Sequence, residues 1–415
     1  MVDDVKQNLE KAHKDAEQKS SEPNLALRLV RVGAGLIGLA VLFSMWASPD
    51  RLLSLPWFIL TMVGVALVLV VTGRWLPFLA SKVSQPALLH FFLAANFVAL
   101  LSALFTSNWP AYKISWLSRI YGALPTIRSL PFSLTQHGLA ANQTGGLLAV
   151  LTAFAAVLAT APTPPPERGG RKATVYRCIT IILTVAGTMT VFMTGSRAAL
   201  VGLVVAVLMV LVLRSRGWLW AWASGLTVAL VGLTAAGQLG PLFRAFVRDE
   251  TLNTELVSRL DIWSSSLMGI GDHLFTGIGL GVLNEVIPVR YPYQTVGLSF
   301  PVSQAHNLFL DVALSIGVPG LLGLLLLLCG LVLLAIRGMK QDYLTRILSL
   351  GTLASIAAFI IFGLTDSMSL SRPTSFILWL WPCALAISEA RASFEAAHPS
   401  THPGGQAASE YSPAK

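Results

Sequence analysis

Charge is scarce in this chain of 415 residues: 12% of positions are Asp, Glu, Lys or Arg, against 54% hydrophobic, with a mean hydropathy of +0.68. A soluble protein of this length hides apolar residues in a core and covers the rest with charge, and there is too little charge here for that. Lipid must serve as solvent. Strict alternation of apolar and polar residues is also missing, which excludes a transmembrane β-barrel. The three cysteines, Cys178, Cys329 and Cys383, all lie in apolar runs without metal-ligand spacing. They read as packing residues and exclude a disulfide framework or a zinc site. The polar stretch from Met1 to Asn24 lacks an apolar leader core and a small-residue cleavage site, so the first apolar run is expected to act as its own anchor. No internal repeat of the kind that builds inverted-repeat transporters is visible.

What is present is a succession of apolar runs near 20 residues long, enough to cross about 30 Å as helix. They predict an all-α, polytopic transmembrane helical bundle with ten spans. These fall at Leu29–Ala47, Leu52–Thr72, Ala87–Thr106, Gln143–Ala161, Val175–Thr194, Ala198–Leu213, Trp218–Gly237, Val318–Ile336, Leu344–Leu364 and Thr374–Ile387. Residues 1–28 are expected to be a cytoplasmic polar tail. Residues 29–390 form one transmembrane domain, and 391–415 a disordered cytoplasmic tail, rich in Pro, Gly and Ser from His398 onward. The segment from Pro162 to Gly170 reads as a stiff connector.

Every second gap between spans is basic: Arg74 and Lys82, then Arg168, Arg171 and Lys172, then Arg214 and Arg216, then Arg337, Lys340 and Arg346. The positive-inside rule assigns those gaps and both tails to the cytoplasm. Two long loops, 107–142 and 239–305, then face outward. Loops of that length are functional or carry short interfacial helices. The outward segments hold Arg51, Arg119, Arg128, Arg197, Arg244, Arg248, Arg259, Arg290 and Arg372 but a single lysine, Lys113. A basic outer surface accounts for most of them. Arginine in preference to lysine nevertheless suits phosphate, because a guanidinium offers a planar two-pronged donor.

Three outward stretches concentrate chemistry. In Thr194-Gly-Ser-Arg-Ala-Ala199 the turn is so short that Arg197 must sit at the membrane boundary, as a snorkelling side chain or as an anion ligand. In Arg259-Leu-Asp-Ile-Trp263 the four-residue spacing puts a cation and an aromatic plate on one helix face. The following Phe275-Thr-Gly-Ile-Gly-Leu-Gly281 reads as a flexible turn, not a nucleotide loop, since no strand precedes it. In Ser303-Gln-Ala-His-Asn-Leu-Phe-Leu-Asp311 the chain enters an apolar helix interrupted at Gly317-Val-Pro-Gly320. His306 there lies near a helix N-terminus, where the dipole and nearby arginines favour a neutral imidazole able to accept a proton. A lone histidine more often only packs and hydrogen-bonds.

The ordered set Thr-Gly-Ser-Arg197, Arg259-x-x-x-Trp263, Gly277-x-Gly279-x-Gly281, His306-Asn-x-x-Leu310 and Gly317-x-x-Gly320 resembles the O-antigen ligase family, which includes polymerases and protein O-oligosaccharyltransferases. The resemblance implies twelve spans and an active site on the periplasmic side of the bacterial inner membrane. It implies a glycosyltransferase moving glycan from an undecaprenyl-pyrophosphate-linked donor to a lipid A-core acceptor among membrane lipids, with no nucleic acid partner and no cofactor. No Asp-x-Asp pair occurs in the outward loops, so no metal is required. By that resemblance His306 is the candidate base and Arg197 and Arg259 the candidate pyrophosphate ligands, with Arg290, Arg119 and Arg128 as weaker anion ligands. Trp263, Gln304, Asn307 and Asn142 are candidate substrate contacts, although amides between helices are as often structural. A polymerase remains the first alternative. A transporter of anionic solutes is the second, and the scarcity of charge within the spans speaks against it.

Overall fold

The computed structural model describes residues 25–109, 117–124, 139–161, 171–214, 250–295, 302–368 and 370–397. Its elements in order are α1 (Leu25–Ala47), α2 (Arg51–Thr72), α3 (Leu76–Lys82), α4 (Gln85–Thr106), β1 (Ser107–Asn108), α5 (Ser118–Ala123) and β2 (Leu139–Ala140). Then come α6 (Ala141–Ala159), α7 (Arg171–Met193), α8 (Arg197–Arg214), α9 (Glu250–Asp272), α10 (Leu283–Arg290), α11 (Leu308–Gly338), α12 (Tyr343–Gly363), a 3-10 turn (Pro373–Phe376) and α13 (Ile377–Ala397). The two-residue strands pair in parallel, with Ser107 opposite Leu139. This is an all-α polytopic membrane protein. Among the described residues seven helices, α1, α2, α4, α6, α7, α11 and α12, are long and apolar enough to cross a membrane, and α8 is a shorter apolar helix.

Apolar helices form here because lipid leaves the backbone no outside hydrogen-bond partner. Their starts are marked by polar caps. Asp50, Ser84, Asn307 and Asp342 each accept a backbone N–H from the first turn of the helix that follows. Adjacent helices run antiparallel. Near one end of the bundle, here termed distal, lie Ala47, Arg51, Thr106, Ala141, Met193, Arg197, Leu308 and Gly363.

Helix α11 packs most extensively on α1. A Cβ added at Gly33 would meet Leu327 N at 2.5 Å, and one at Gly323 would meet Gly33 O at 2.9 Å. Small residues thus let two backbones touch, which is how membrane helices gain dispersion energy where water exclusion gives none.

The interruption expected near Gly317 is present. Ile316 and Gly317 depart from helical geometry, with φ +75° at Gly317, and Pro319 begins the next segment. The carbonyls freed by the break are not orphaned. Leu314 O and Ser315 O accept from Ile278 N at 2.8 Å and Gly279 N at 3.2 Å, while Val318 N donates to Leu274 O at 2.8 Å. Ser44 Oγ also donates to Ser315 O, at 2.7 Å. The glycine run 277–281 is therefore not the flexible turn its composition suggested. Its left-handed glycines form the part that fits the helix break, and Ser54 Oγ pins Leu280 O from α2 at 2.8 Å.

Several boundaries differ from the sequence expectation. The span placed at 318–336 begins at Leu308, because the eight residues before the break are already helical. The long loop holds the 23-residue α9 as well as the short α10. Helix α9 packs on the start of α11, and a second apolar cluster of Ile262, Ile270, Ile287, Ala313 and Leu314 joins them. Helix α13 continues through Ala397, so residues 391–397 are helical and not part of a disordered tail. There Arg391 binds Glu395 Oε1 at 2.8 Å and the carbonyls of Ala80 and Val83. The span expected at 218–237, the connector 162–170 and the tail from 398 lie outside the described residues.

Candidate active site

The distal end of the bundle gathers the polar residues that the apolar middle excludes. The strand of chain entering α11 makes a hydrogen bond or ionic contact at each of four successive residues. Ser303 Oγ accepts from Arg372 Nη2 at 2.7 Å, and Gln304 Nε2 donates to Asp366 Oδ1 at 2.6 Å. Ala305 N donates to Asp311 Oδ1 at 2.9 Å, and His306 Nδ1 lies 3.4 Å from Asp366 Oδ1. Ser367 bridges the two acids: its N–H donates to Asp366 Oδ1 at 2.9 Å, and its hydroxyl to Asp311 Oδ2 at 3.3 Å. Asp366 and Asp311 are 1% and 2% exposed, whereas the His306 side chain is 27% exposed.

His306 is the single non-glycine residue with positive φ among the described residues, at 49°. That conformation costs of order 1 kcal/mol and holds the imidazole between Asp366 and open space. Arginines were expected around His306, but the nearest ionic partner is the Asp366 carboxylate. Nδ1 makes no hydrogen bond among the described residues, and the Asp366 carboxylate is the group that faces it.

Arg197 opens α8. Its turn is compact, with Gly195 at φ +63°, Thr194 Oγ1 accepting from Ser196 N and Ser196 Oγ accepting from Ala199 N. The side chain is 49% exposed, and Nη1 lies 3.9 Å from Glu255 on α9. Glu255, Arg259 and Trp263 recur every four residues, so one face of α9 carries all three, and the ion pair brings that face to Arg197. Arg259 and Trp263 are half-buried, and the indole N–H of Trp263 is buried without an acceptor among the described residues. Arg119 is exposed on α5, whose Tyr121 hydroxyl donates to Met193 O at 2.7 Å, just before the Arg197 turn.

Other expected residues take different places. Arg290 is exposed at the end of α10, which is anchored by Tyr291 Oη donating to Asp272 Oδ2 at 2.8 Å. The amides of Gln304 and Asn307 each have partners within the protein. Gln304 is 4% exposed between Gln143 and Asp366, while Asn307 caps α11 and donates to Leu364 O. Asn142 is half-buried in the first turn of α6. Arg128 lies outside the described residues.

The match with a known family falls on this region. Residues 182–325 match the family model described as O-antigen ligase. The match supports the O-antigen ligase family. It runs from the middle of α7 into α11 and takes in Arg197, Arg259, Trp263, Gln304 and His306. Asp366 and Arg372 fall outside the matched segment. No curated protein matches the chain.

Sequence reasoning passed over Asp366, Asp311 and Arg372 as site residues. The available signal was an ionisable residue at the very end of an apolar span, which in a membrane protein is a functional candidate by default. Asp366 follows α12 by three positions.

Proposed function

We propose that this protein transfers a glycan from an undecaprenyl-pyrophosphate-linked donor to a sugar hydroxyl of lipid A-core, at the periplasmic face of the inner membrane. The observation carrying the reading is the His306–Asp366 pair, 3.4 Å apart at the distal end of the bundle. Asp366 holds the Nδ1 proton and Nε2 removes the proton from the acceptor hydroxyl. The hydroxyl oxygen then attacks the anomeric carbon as the bond to the pyrophosphate oxygen breaks, through a transition state of oxocarbenium character. Charge grows on the leaving undecaprenyl pyrophosphate, where Arg197 and Arg259 stabilise it. The Asp366 carboxylate stabilises the imidazolium that forms, and the proton leaves to water or to the pyrophosphate.

The basic loops support an outward-facing distal end, and the family match supports the class of substrate. Arg119, Arg290 and Arg128 remain candidate contacts for phosphates at the rim, and Trp263 a candidate plate for a sugar ring. The test incubates the purified protein with undecaprenyl-linked glycan and rough lipopolysaccharide. A ladder of glycan on lipopolysaccharide is expected. Longer chains that stay on undecaprenyl would instead make it a polymerase, and solute flux without turnover a transporter.

A further inference from the structure

Arg372 is a partly buried cation at the distal end that the mechanism above does not use. It caps the 3-10 turn Pro373–Phe376, where Ser375 N and Oγ both donate to its carbonyl at 3.1 and 2.8 Å, so its backbone is fixed. Its side chain reaches across to Ser303 Oγ at 2.7 Å. Burial pulls the guanidinium below its ordinary pKa, and Asp311 opposes this in part. Both oxygens of Asp311 are already engaged, by Ala305 N and Ser367 Oγ. A guanidinium has five N–H donors, and among the described residues Ser303 is its one hydrogen-bond acceptor. Its remaining donors meet no protein acceptor among the described residues and reach the surface, where they are open to an anion.

The start of α11 offers no competing anion site. Asn307 Oδ1 already accepts from Phe309 N and Leu310 N, and Asp311 adds a negative charge in the first turn. Anion binding beside His306 therefore falls to a side chain, and Arg372 is tied to the same four-residue strand, Ser303 to His306.

We infer that Arg372 is a binding residue for a phosphoryl oxyanion of the acceptor glycolipid headgroup. The inference rests on the glycosyl-transfer reading above for the identity of the acceptor. Its logic is positional. His306 must touch the acceptor hydroxyl to deprotonate it, and the side chain anchored three residues away at Ser303 holds whatever charge that same molecule carries. The donor pyrophosphate, by contrast, has Arg197 and Arg259 on α8 and α9.

The experiment uses the full chain in lipid nanodiscs, with lipid A-core bearing its phosphates, the same glycolipid after enzymatic dephosphorylation, and undecaprenyl pyrophosphate as three separate probes. Binding is read by native mass spectrometry and transfer by initial rates. Arg372→Gln is expected to weaken binding of the phosphorylated acceptor by about tenfold or more, the scale of one lost charge-assisted fork. Undecaprenyl pyrophosphate binding should stay within about twofold, and the dephosphorylated acceptor should bind wild type and variant alike. Arg372→Lys should recover part of the loss, and Ser303→Ala, which frees the guanidinium without removing it, should weaken the phosphorylated acceptor only. Equal losses for phosphorylated and dephosphorylated acceptor would overturn the inference in favour of a packing role. So would a loss confined to undecaprenyl pyrophosphate, which would move Arg372 to the donor clamp. Because binding is read separately from transfer, a protein that discriminates the two acceptors at Arg372 but makes no lipopolysaccharide ladder would sink the transfer reading and leave the anion site standing.

Discussion

Two atoms of one histidine separate a catalytic from a packing role at the residue scale. With Asp366 at Nδ1, Asp366→Asn keeps the shape and removes the charge that orients and stabilises the imidazolium, so turnover should fall about a hundredfold or more with donor affinity little changed. His306→Ala should fall as far, and His306→Gln should not rescue it, since an amide hydrogen-bonds but takes up no proton. Single-turnover transfer, donor binding and thermal stability on the same preparations check both. A fast His306→Gln enzyme would return His306 to a structural part and shift the weight to the arginines and to proximity.

Arg197→Lys poses the complementary question, because it keeps charge and loses the fork. Most activity should disappear while insertion and stability hold. The pair with Glu255 is half-exposed and 3.9 Å long, so its loss costs about 1 kcal/mol at most. Arg244→Ala, at a position in no motif, serves as control and should change the transfer rate little. That His306, Arg197 and Arg259 would gather at one end of the bundle was legible in the sequence, because all three fall in segments between apolar spans on the side without the basic loops. Asp366 was not: it stands 60 residues from His306 in sequence, and only the antiparallel packing of α11 on α12, with Leu308 against Gly363, brings the two together. Gln304 and Asn307 were read as outward amides because sequence cannot reveal that each already has an internal partner.

Elements make the next scale, and there the site depends on a helix that stops being a helix. The eight residues from Leu308 to Ser315 carry Asp311 and follow His306, and their placement is fixed by the break at Ile316–Gly317 filled by the turn 277–281. At Gly317 a Cβ would lie 2.5 Å from Phe275 O, in a backbone region that L side chains avoid. Gly317→Ala is expected to cost about 2 kcal/mol or more and to lower activity with stability. Gly35→Ala is the control. It also lies in a helix, but nothing lies within 4 Å of its Cβ, so the change should be neutral or slightly stabilising by thermal unfolding in detergent. Equal melting temperatures for the two variants would mean that the break is not rigid. Glycine and proline announced this interruption from sequence alone. They did not announce its partner, because a run of three glycines reads as flexibility until a second backbone is seen to fill the space. The length of helix α9 escaped notice for a related reason: its polar content hides how far a helix runs that is stabilised by packing on α11 and by Asp261 accepting from Gln294 N and Thr295 N.

For the whole molecule, the bundle is a sorting device along one axis. Its middle is apolar, its proximal end carries the basic loops, and its distal end carries two buried acids, His306 and several arginines. Hydropathy made the spans legible because lipid enforces a length on every helix, and loop charge gave the orientation because basic loops cross a membrane reluctantly. If that orientation holds, the transfer chemistry lies outside the cytoplasm, and thiol labelling tests it. Cys178 and Cys329 are exposed on the helices and Cys383 is buried, so the work needs a variant with all three replaced. In that background a cysteine at Ser264, exposed on α9, should react with a membrane-impermeant maleimide added to intact spheroplasts. A cysteine at Lys340, exposed in the turn between α11 and α12, should react only after permeabilisation. The opposite pattern would turn the molecule over and place His306, Asp366 and Arg372 in the cytoplasm. There undecaprenyl-linked glycan that has already crossed to the outer leaflet could not reach them, and the proposed reaction would fall with the orientation.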